Sequence, residues 1–449
     1  MSDADRSSGE GNGRAPVREQ VQIGLILESV ADVAPFPEDW DERATGVEYL
    51  YRKNTIVVRD SNLDSVRSSL DGRGVRNTVD DTVLAGATRL SVSKPADDAW
   101  SLHEELARIE GEEGHGAAGF DHLFYVCVHC CAAIEPEPVP ADSVPVPRPQ
   151  SGQDAASPAS SHGKGVRLLV FDTGLVEGAE EHPWMAGVTG EDDTLVAAGA
   201  GTTPARIGQD GGHGTFVAGC VRVTAPEAKV NVVNAARLLT LTADADGIGA
   251  AFESDLAALL SSHLVAAGGD HPVRVPDVLV LNFAGTTQGG RPPVAMAGLY
   301  DSVIKHLKEL LIVSPAGNEG DKRKTWPAAF PWVVSVGGLA ENWRNRATWT
   351  NHGRNVDVYA PGDRLVNAFA TGDYEPTWDG QQHNAVPFEG MALWSGTSFS
   401  TPLVAGLVAA RMSTTGQSSR RAWQSLLDLA ERQALPGVGP VLYPGQELA

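Results

Sequence analysis

A chain of 449 residues, 42% of them hydrophobic, can bury at least one large core, which excludes a disordered protein. With 57 acidic against 35 basic side chains, its formal net charge of -22 argues against nucleic acid and against an anionic membrane surface as partners, and it favours solubility. No apolar run approaches the roughly 20 residues of a membrane helix, and the opening MSDADRSSGEGNGRAPVREQ has no basic start followed by an apolar stretch, so the expected location is cytoplasmic.

In chain order, residues 1–20 read as a polar, disordered tail. Residues 21–135 alternate apolar and amphipathic runs (VQIGLIL, EYLYRKNTIVVR, SNLDSVRSSL, ATRLSVS, DDAWSLHEELARI, DHLFYVCVH), the pattern of a small β-α-β-α-β, α+β domain. Cys127, Cys130 and Cys131 close that region without a second ligand pair at zinc spacing, so they are expected to be small apolar residues finishing a strand; Cys220 stands apart, and four cysteines make no disulfide framework. Residues 136–164, rich in Pro, Ser and Ala, read as a linker. Residues 165–435 then alternate wholly apolar strands (VRLLVF, KVNVVNA, DVLVLNF, LIVSPAG, WVVSVGG) with helices, which implies α/β architecture, a parallel sheet covered by helices on both faces, and chemistry at the carboxyl ends of its strands. Residues 436–449 are a C-terminal tail.

Four positions in this second region suit amide hydrolysis, which needs an activated nucleophile, a base that becomes an acid, and donors for the oxyanion. Asp172 follows the strand Val166 to Phe171 and can orient an imidazole there, although an Asp opening a turn before Gly is the simpler reading of that residue alone. His213, in GGHGTFVAG, starts a helix of small residues and is a suitable base near neutral pH; alone it could equally be an ordinary buried or capping histidine. Ser398, in GTSFSTP, opens a buried helix where its own N–H and the helix dipole favour an oxyanion, with a simple helix cap and Ser400 as the competing readings. Asn318, in PAGNEG, offers a side-chain amide as the second oxyanion donor, or merely a turn.

In this order, Asp172-Thr173-Gly174, His213-Gly214-Thr215, Ala316-Gly317-Asn318 and Gly396-Thr397-Ser398-x-Ser-x-Pro402 resemble the subtilisin-like (subtilase) family of serine peptidases, a likeness covering roughly residues 165 to 435. The resemblance implies a seven-stranded parallel core, a triad of Asp172, His213 and Ser398, oxyanion donors from Asn318 and Ser398, and a protein or peptide substrate lying as an added strand along Asn282, Phe283, Ala284, Gly285, Ala316 and Gly317. The usual Asn-x-Ser-x-Gly of the cleft strand is here Asn282-Phe283-Ala284-Gly285-Thr286, so the specificity pocket is not inferred from the family. Residues 21–135 resemble, by pattern, the ferredoxin-like α+β propeptide of such enzymes, which implies an inhibitor carried in the same chain; an adaptor that senses a regulatory protein partner is the competing reading. No cofactor is required. Structural calcium, common in the family, is left open, with Glu191-Asp192-Asp193 read as a solvated turn rather than a metal loop. The serine motif would also suit a catalytically silent peptide-binding scaffold, or an acid peptidase with Glu and Asp partners, which His213 opposes.

Overall fold

The computed structural model describes residues 17–38, 40, 46–93, 100–126, 135–148, 161–200, 203–238, 248–265, 275–376 and 384–445. The reading of Cys127, Cys130 and Cys131 as strand residues falls outside them.

The first region opens with α1 (Val17–Ser29), a helix that carries the VQIGLIL run, and β1 (Val33–Phe36). The rest is β2 (Tyr49–Arg59), α2 (Leu63–Gly72), β3 (Arg76–Val79), β4 (Ala87–Ser93), α3 (Leu102–Glu113) and β5 (Ala118–Tyr125). The strands pair antiparallel in the order β5-β2-β4-β3, the ferredoxin-like arrangement. The pleat divides β2 between two cores, as its period of two requires. Ile56 and Val58 pack with Val66 and Leu70 of α2 and Leu106 and Ile109 of α3, whereas Val57 joins the main core of the molecule.

After β6 (Glu137–Pro138) come β7 (Arg167–Asp172), β8 (Thr189–Gly190), β9 (Val196–Ala197), β10 (Arg206–Ile207), α4 (His213–Thr224), β11 (Lys229–Asn234), β12 (Ala250–Phe252) and α5 (Glu253–Leu264). The chain continues through β13 (Val278–Leu281), α6 (Val294–Ser302), β14 (Leu311–Pro315), β15 (Val333–Leu339), β16 (Val358–Pro361), β17 (Leu365–Tyr374), β18 (Val386–Trp394), α7 (Thr397–Thr415) and α8 (Ser419–Arg432). Seven strands form one sheet, β16-β15-β14-β13-β7-β11-β8, with every neighbouring pair parallel. Every residue of β13 and β14 is buried, so both faces of the sheet are covered, which is why these strands read as unbroken apolar runs. Strand order reverses at β7, and the crevice at such a switch point is where an α/β sheet places its chemistry. Among the described residues, no helix is long and apolar enough to cross a membrane.

Among the described residues, strand pairing joins the regions in two directions. The segment read as a linker contributes β6, which pairs antiparallel with β18, and Val146, which bridges to Val366, so residues 137–146 lie against a second sheet, β6-β18-β17-β10-β9. In the other direction, β12 adds itself antiparallel to the free edge of β5. The start of α5 is held by the first region through charge. Ser254 donates its N–H and its hydroxyl to Asp121 at 3.0 and 2.8 Å, Arg52 pairs with Asp121 at 3.0 Å and also with Asp255, and Arg89 pairs with Asp255 and Asp80 and donates to Ser254 Oγ. Glu253 and His122 are buried beside this network, His122 Nδ1 lying 3.9 Å from Glu253 Oε2. Burial, followed by the charge of Asp121, lifts the Glu253 carboxyl well above its ordinary range.

Candidate active site

Asp172 is the last residue of β7, at the switch point, and is fully buried. His213 is the first residue of α4, and its entry depends on two glycines. Gly212 takes the left-handed conformation (φ +82°) with no room for a Cβ beside Phe369, and a Cβ on Gly214 would stand 2.3 Å from the Gly174 carbonyl. The helix start thereby lies directly on the turn after Asp172. His213 Nδ1 and Asp172 Oδ1 are 2.7 Å apart, with both side chains out of solvent. Thr173 N–H also donates to Asp172 Oδ1, and the Asn282 amide donates to Oδ2, both at 2.8 Å. With these donors on it, the carboxylate has one orientation, and it faces Nδ1 of the imidazole. Trp394 (5.3 Å, edge-on) and Phe399 (5.2 Å) wall the ring. Burial alone would push the His213 pKa down; the charge and hydrogen bond of Asp172, with Asp210 and Asp193 behind them, outweigh it, so the pKa lies above its ordinary value.

Ser398 is the second residue of α7, where free N–H groups and the helix dipole favour negative charge. Asn318 follows β14, and its amide orientation is determined by Thr397, whose N–H and hydroxyl both donate to Asn318 Oδ1 at 2.9 and 2.8 Å. The Asn318 Nδ2 donor is therefore turned away from Thr397. The serine hydroxyl donates 3.1 Å to the carbonyl of Val126, from the end of the first region, and His213 Nε2 is buried without a hydrogen-bond partner.

That contact is the end of a longer one. The chain leaving β5 runs between two segments of the second region. Tyr125 exchanges backbone hydrogen bonds with Ala284 (3.0 and 2.9 Å), Val126 N–H donates to Gly249 O (2.7 Å), and Leu123 to Tyr125 lie in register with β12. The fit is close: a Cβ on Gly249 would fall 2.2 Å from Val126 Cγ2, and one on Gly285 would fall 2.3 Å from Phe124 Cδ1. A stretch of the protein's own chain thus lies as an extra strand across the site and ends on Ser398.

The structure therefore brings Asp172, His213, Ser398 and Asn318 to the carboxyl edge of the sheet. Of the six residues expected to bind substrate, Ala284 contacts the strand in the cleft through its backbone and Gly285 through close packing. Phe283 is a core side chain, Asn282 spends its amide on Asp172 and on Ser398 O (3.3 Å), and Ala316 and Gly317 back Asn318, Gly317 N–H donating to Thr397 Oγ1. Sequence reasoning did not find the opposite wall, Gly249 to Phe252, because a stretch as short as Gly-Ala-Ala-Phe carries no chemical signature. Nor is Asp193 in a solvated turn. It is 5% exposed and takes hydrogen bonds from Thr173 Oγ1, Gly212 N–H and Leu195 N–H, because the chain after β8 folds inward over the Asp172 turn. Glu191 accepts from Asn234 N–H and pairs with Arg237. Among the described residues, no group of three or more His, Cys, Asp or Glu is placed to hold a metal ion.

Residues 163–435 match the model of the Subtilase family. Thermitase of Thermoactinomyces vulgaris is 27% identical over 302 residues, covering 64% of this chain and 88% of that protein. Subtilisin BL of Lederbergia lenta is 28% identical over 276 residues, covering 60% and 84%. The cuticle-degrading protease of Metarhizium anisopliae is 30% identical over 169 residues, and this chain spans only 39% of that protein. The solved structure of fervidolysin from Fervidobacterium pennivorans, described as a keratinolytic enzyme related to subtilisin, overlays with a TM-score of 0.53 at 17% identity, over 89% of this chain and 61% of that one, a likeness of fold.

Proposed function

The chain belongs to the subtilase family and is a serine endopeptidase, and from that premise we propose that Asp172, His213 and Ser398 are its reacting set and that its own N-terminal region restrains it. Ser398 Oγ attacks the peptide carbonyl while His213 Nε2 takes its proton. Asp172 keeps the other ring proton on Nδ1 and stabilises the imidazolium. The N–H of Ser398 and Nδ2 of Asn318 receive the negative oxygen, each such donor lowering the barrier by about 3 kcal/mol. The imidazolium then protonates the leaving amine, and water repeats the sequence on the acyl-enzyme. No step requires a metal.

The observation that carries this reading is the hydrogen bond from Ser398 to the Val126 carbonyl, at the end of a strand paired as an extended peptide would be. It supports two roles for the first region: it blocks the cleft, and it offers its own chain to be cut just beyond Val126. A fluorophosphonate probe tests the reacting set. Ser398 should be labelled slowly in the intact protein and not at all in Ser398→Ala or His213→Ala, and an unlabelled Ser398 under all conditions would end the proposal. Intact mass after incubation tests the cut, since a parent chain that stays as whole as Ser398→Ala is not self-processing.

A further inference from the structure

Between β8 and β9, Asp193 makes connections that the reaction as described does not use. Its Oδ2 accepts the Thr173 hydroxyl at 2.9 Å and the Gly212 N–H at 2.8 Å, and its Oδ1 accepts the Leu195 N–H at 2.9 Å. Thr173 Oγ1 in turn accepts the N–H of Gly214 at 3.0 Å, and Thr173 N–H holds the Asp172 oxygen that meets His213. One carboxylate therefore ties the residue after Asp172 to the residues on either side of His213. We propose that Asp193 is a positioning residue for the reaction: in its ionised form it locks the Asp172 turn to the first turn of α4 and adds a second negative charge in favour of protonated His213. The inference rests on the reading of Asp172, His213 and Ser398 as the reacting set.

Three donors converge on its two oxygens, so a proton on the carboxyl would add a donor where only acceptors are wanted. The position, just ahead of the α4 N-terminus, also favours the anion. Other charges face the same place: Asp172 from β7, His213 from α4 and Asp210 from the loop before it, while Glu191 is taken up by Arg237. Burial raises the Asp193 pKa to about 6, the three donors oppose that rise, and Asp172 adds to it. The group thus ionises in the range where the base itself must become neutral.

The test uses the full chain with isotope-labelled histidine, following by NMR the pH titration of His213 through its carboxylate-bonded Nδ1–H. Asp193→Asn keeps the size and removes the charge. The His213 midpoint should move to lower pH, and fluorophosphonate labelling of Ser398 should slow by about 10²-fold, the scale of a misplaced reacting group. Thr173→Ala breaks the tie and keeps the charge, so labelling should slow while the midpoint stays, and Thr173→Ser should restore the rate. An Asp193→Asn protein with the parental midpoint would overturn the inference. Should that variant not fold, Thr173→Ala labelled at the parental rate would overturn it, and a slowed Thr173→Ala rescued by Thr173→Ser would support it. A parent protein never labelled at any pH would instead refute the reacting set, with the His213 midpoint still reporting on Asp193.

Discussion

At the scale of single residues, the pH behaviour of the proposed reacting set rests on His213. The base must be neutral to take the serine proton, and its pKa lies above the ordinary 6.5 because Asp172 outweighs burial. Activity should therefore rise with pH through a midpoint above 6.5, measured as the pH dependence of Ser398 labelling; a midpoint below that value would show that burial prevails. Asn282 supplies a second test. Its amide satisfies an oxygen of a fully buried carboxylate, and a hydrogen bond to a charged group is worth about 1.5–3 kcal/mol, so Asn282→Ala should lower stability by that order in denaturant titration and slow labelling as well. The placement of Asp172, His213, Asn318 and Ser398 was legible because each stands in a local phrase, at a strand end or a helix start, that can be read from its neighbours. Asn282 and Asp193 were not, since their partners lie 110 and 20 residues away along the chain and only the fold brings them together.

At the scale of elements, β5 contributes to both regions, completing the ferredoxin-like sheet and running into the cleft. Gly285 and Gly249 admit its side chains at van der Waals limits, so a methyl group at either position has nowhere to go unless the strand withdraws. Gly285→Ala should therefore speed labelling of Ser398 in the intact protein, with protection of the β5 amides against hydrogen exchange falling in parallel; unchanged labelling would mean that the strand does not control access. The parallel sheet was readable because doubly buried strands are apolar at every position. The pairing of β6 with β18 and of β12 with β5 was not, because two- and three-residue strands carry no periodicity, and proline in Glu137–Pro138 suits an edge as well as a linker. The run VQIGLIL is helical because Ile23 and Ile26 stand at helical spacing and, with Val30 just past the helix, cluster with Leu123, Ala250 and Phe252, contacts that come from distant chain.

At the scale of the molecule, the two regions meet through a buried polar seam as well as through apolar packing. Burial, followed by the charge of Asp121, raises the Glu253 carboxyl there well above its ordinary 4.5, so the group subtracts stability as pH rises from 4.5 through the folded value, at about 1.4 kcal/mol per pH unit across that window. Glu253→Gln removes that dependence. Its melting temperature should match the parent's near pH 4.5 and exceed it by a growing margin toward alkaline pH, and a constant difference would show that Glu253 does not titrate in the seam. The anchoring of residues 137–146 on the far sheet has a kinetic consequence. Under the proposed restraint, while the backbone between Val126 and Glu137 is whole, the strand that ends at Val126 would return to its groove at a local concentration set by geometry, whatever the amount of enzyme. Once that backbone is cut, the same contacts become an encounter between two molecules, and dilution alone would decide when the groove stands open.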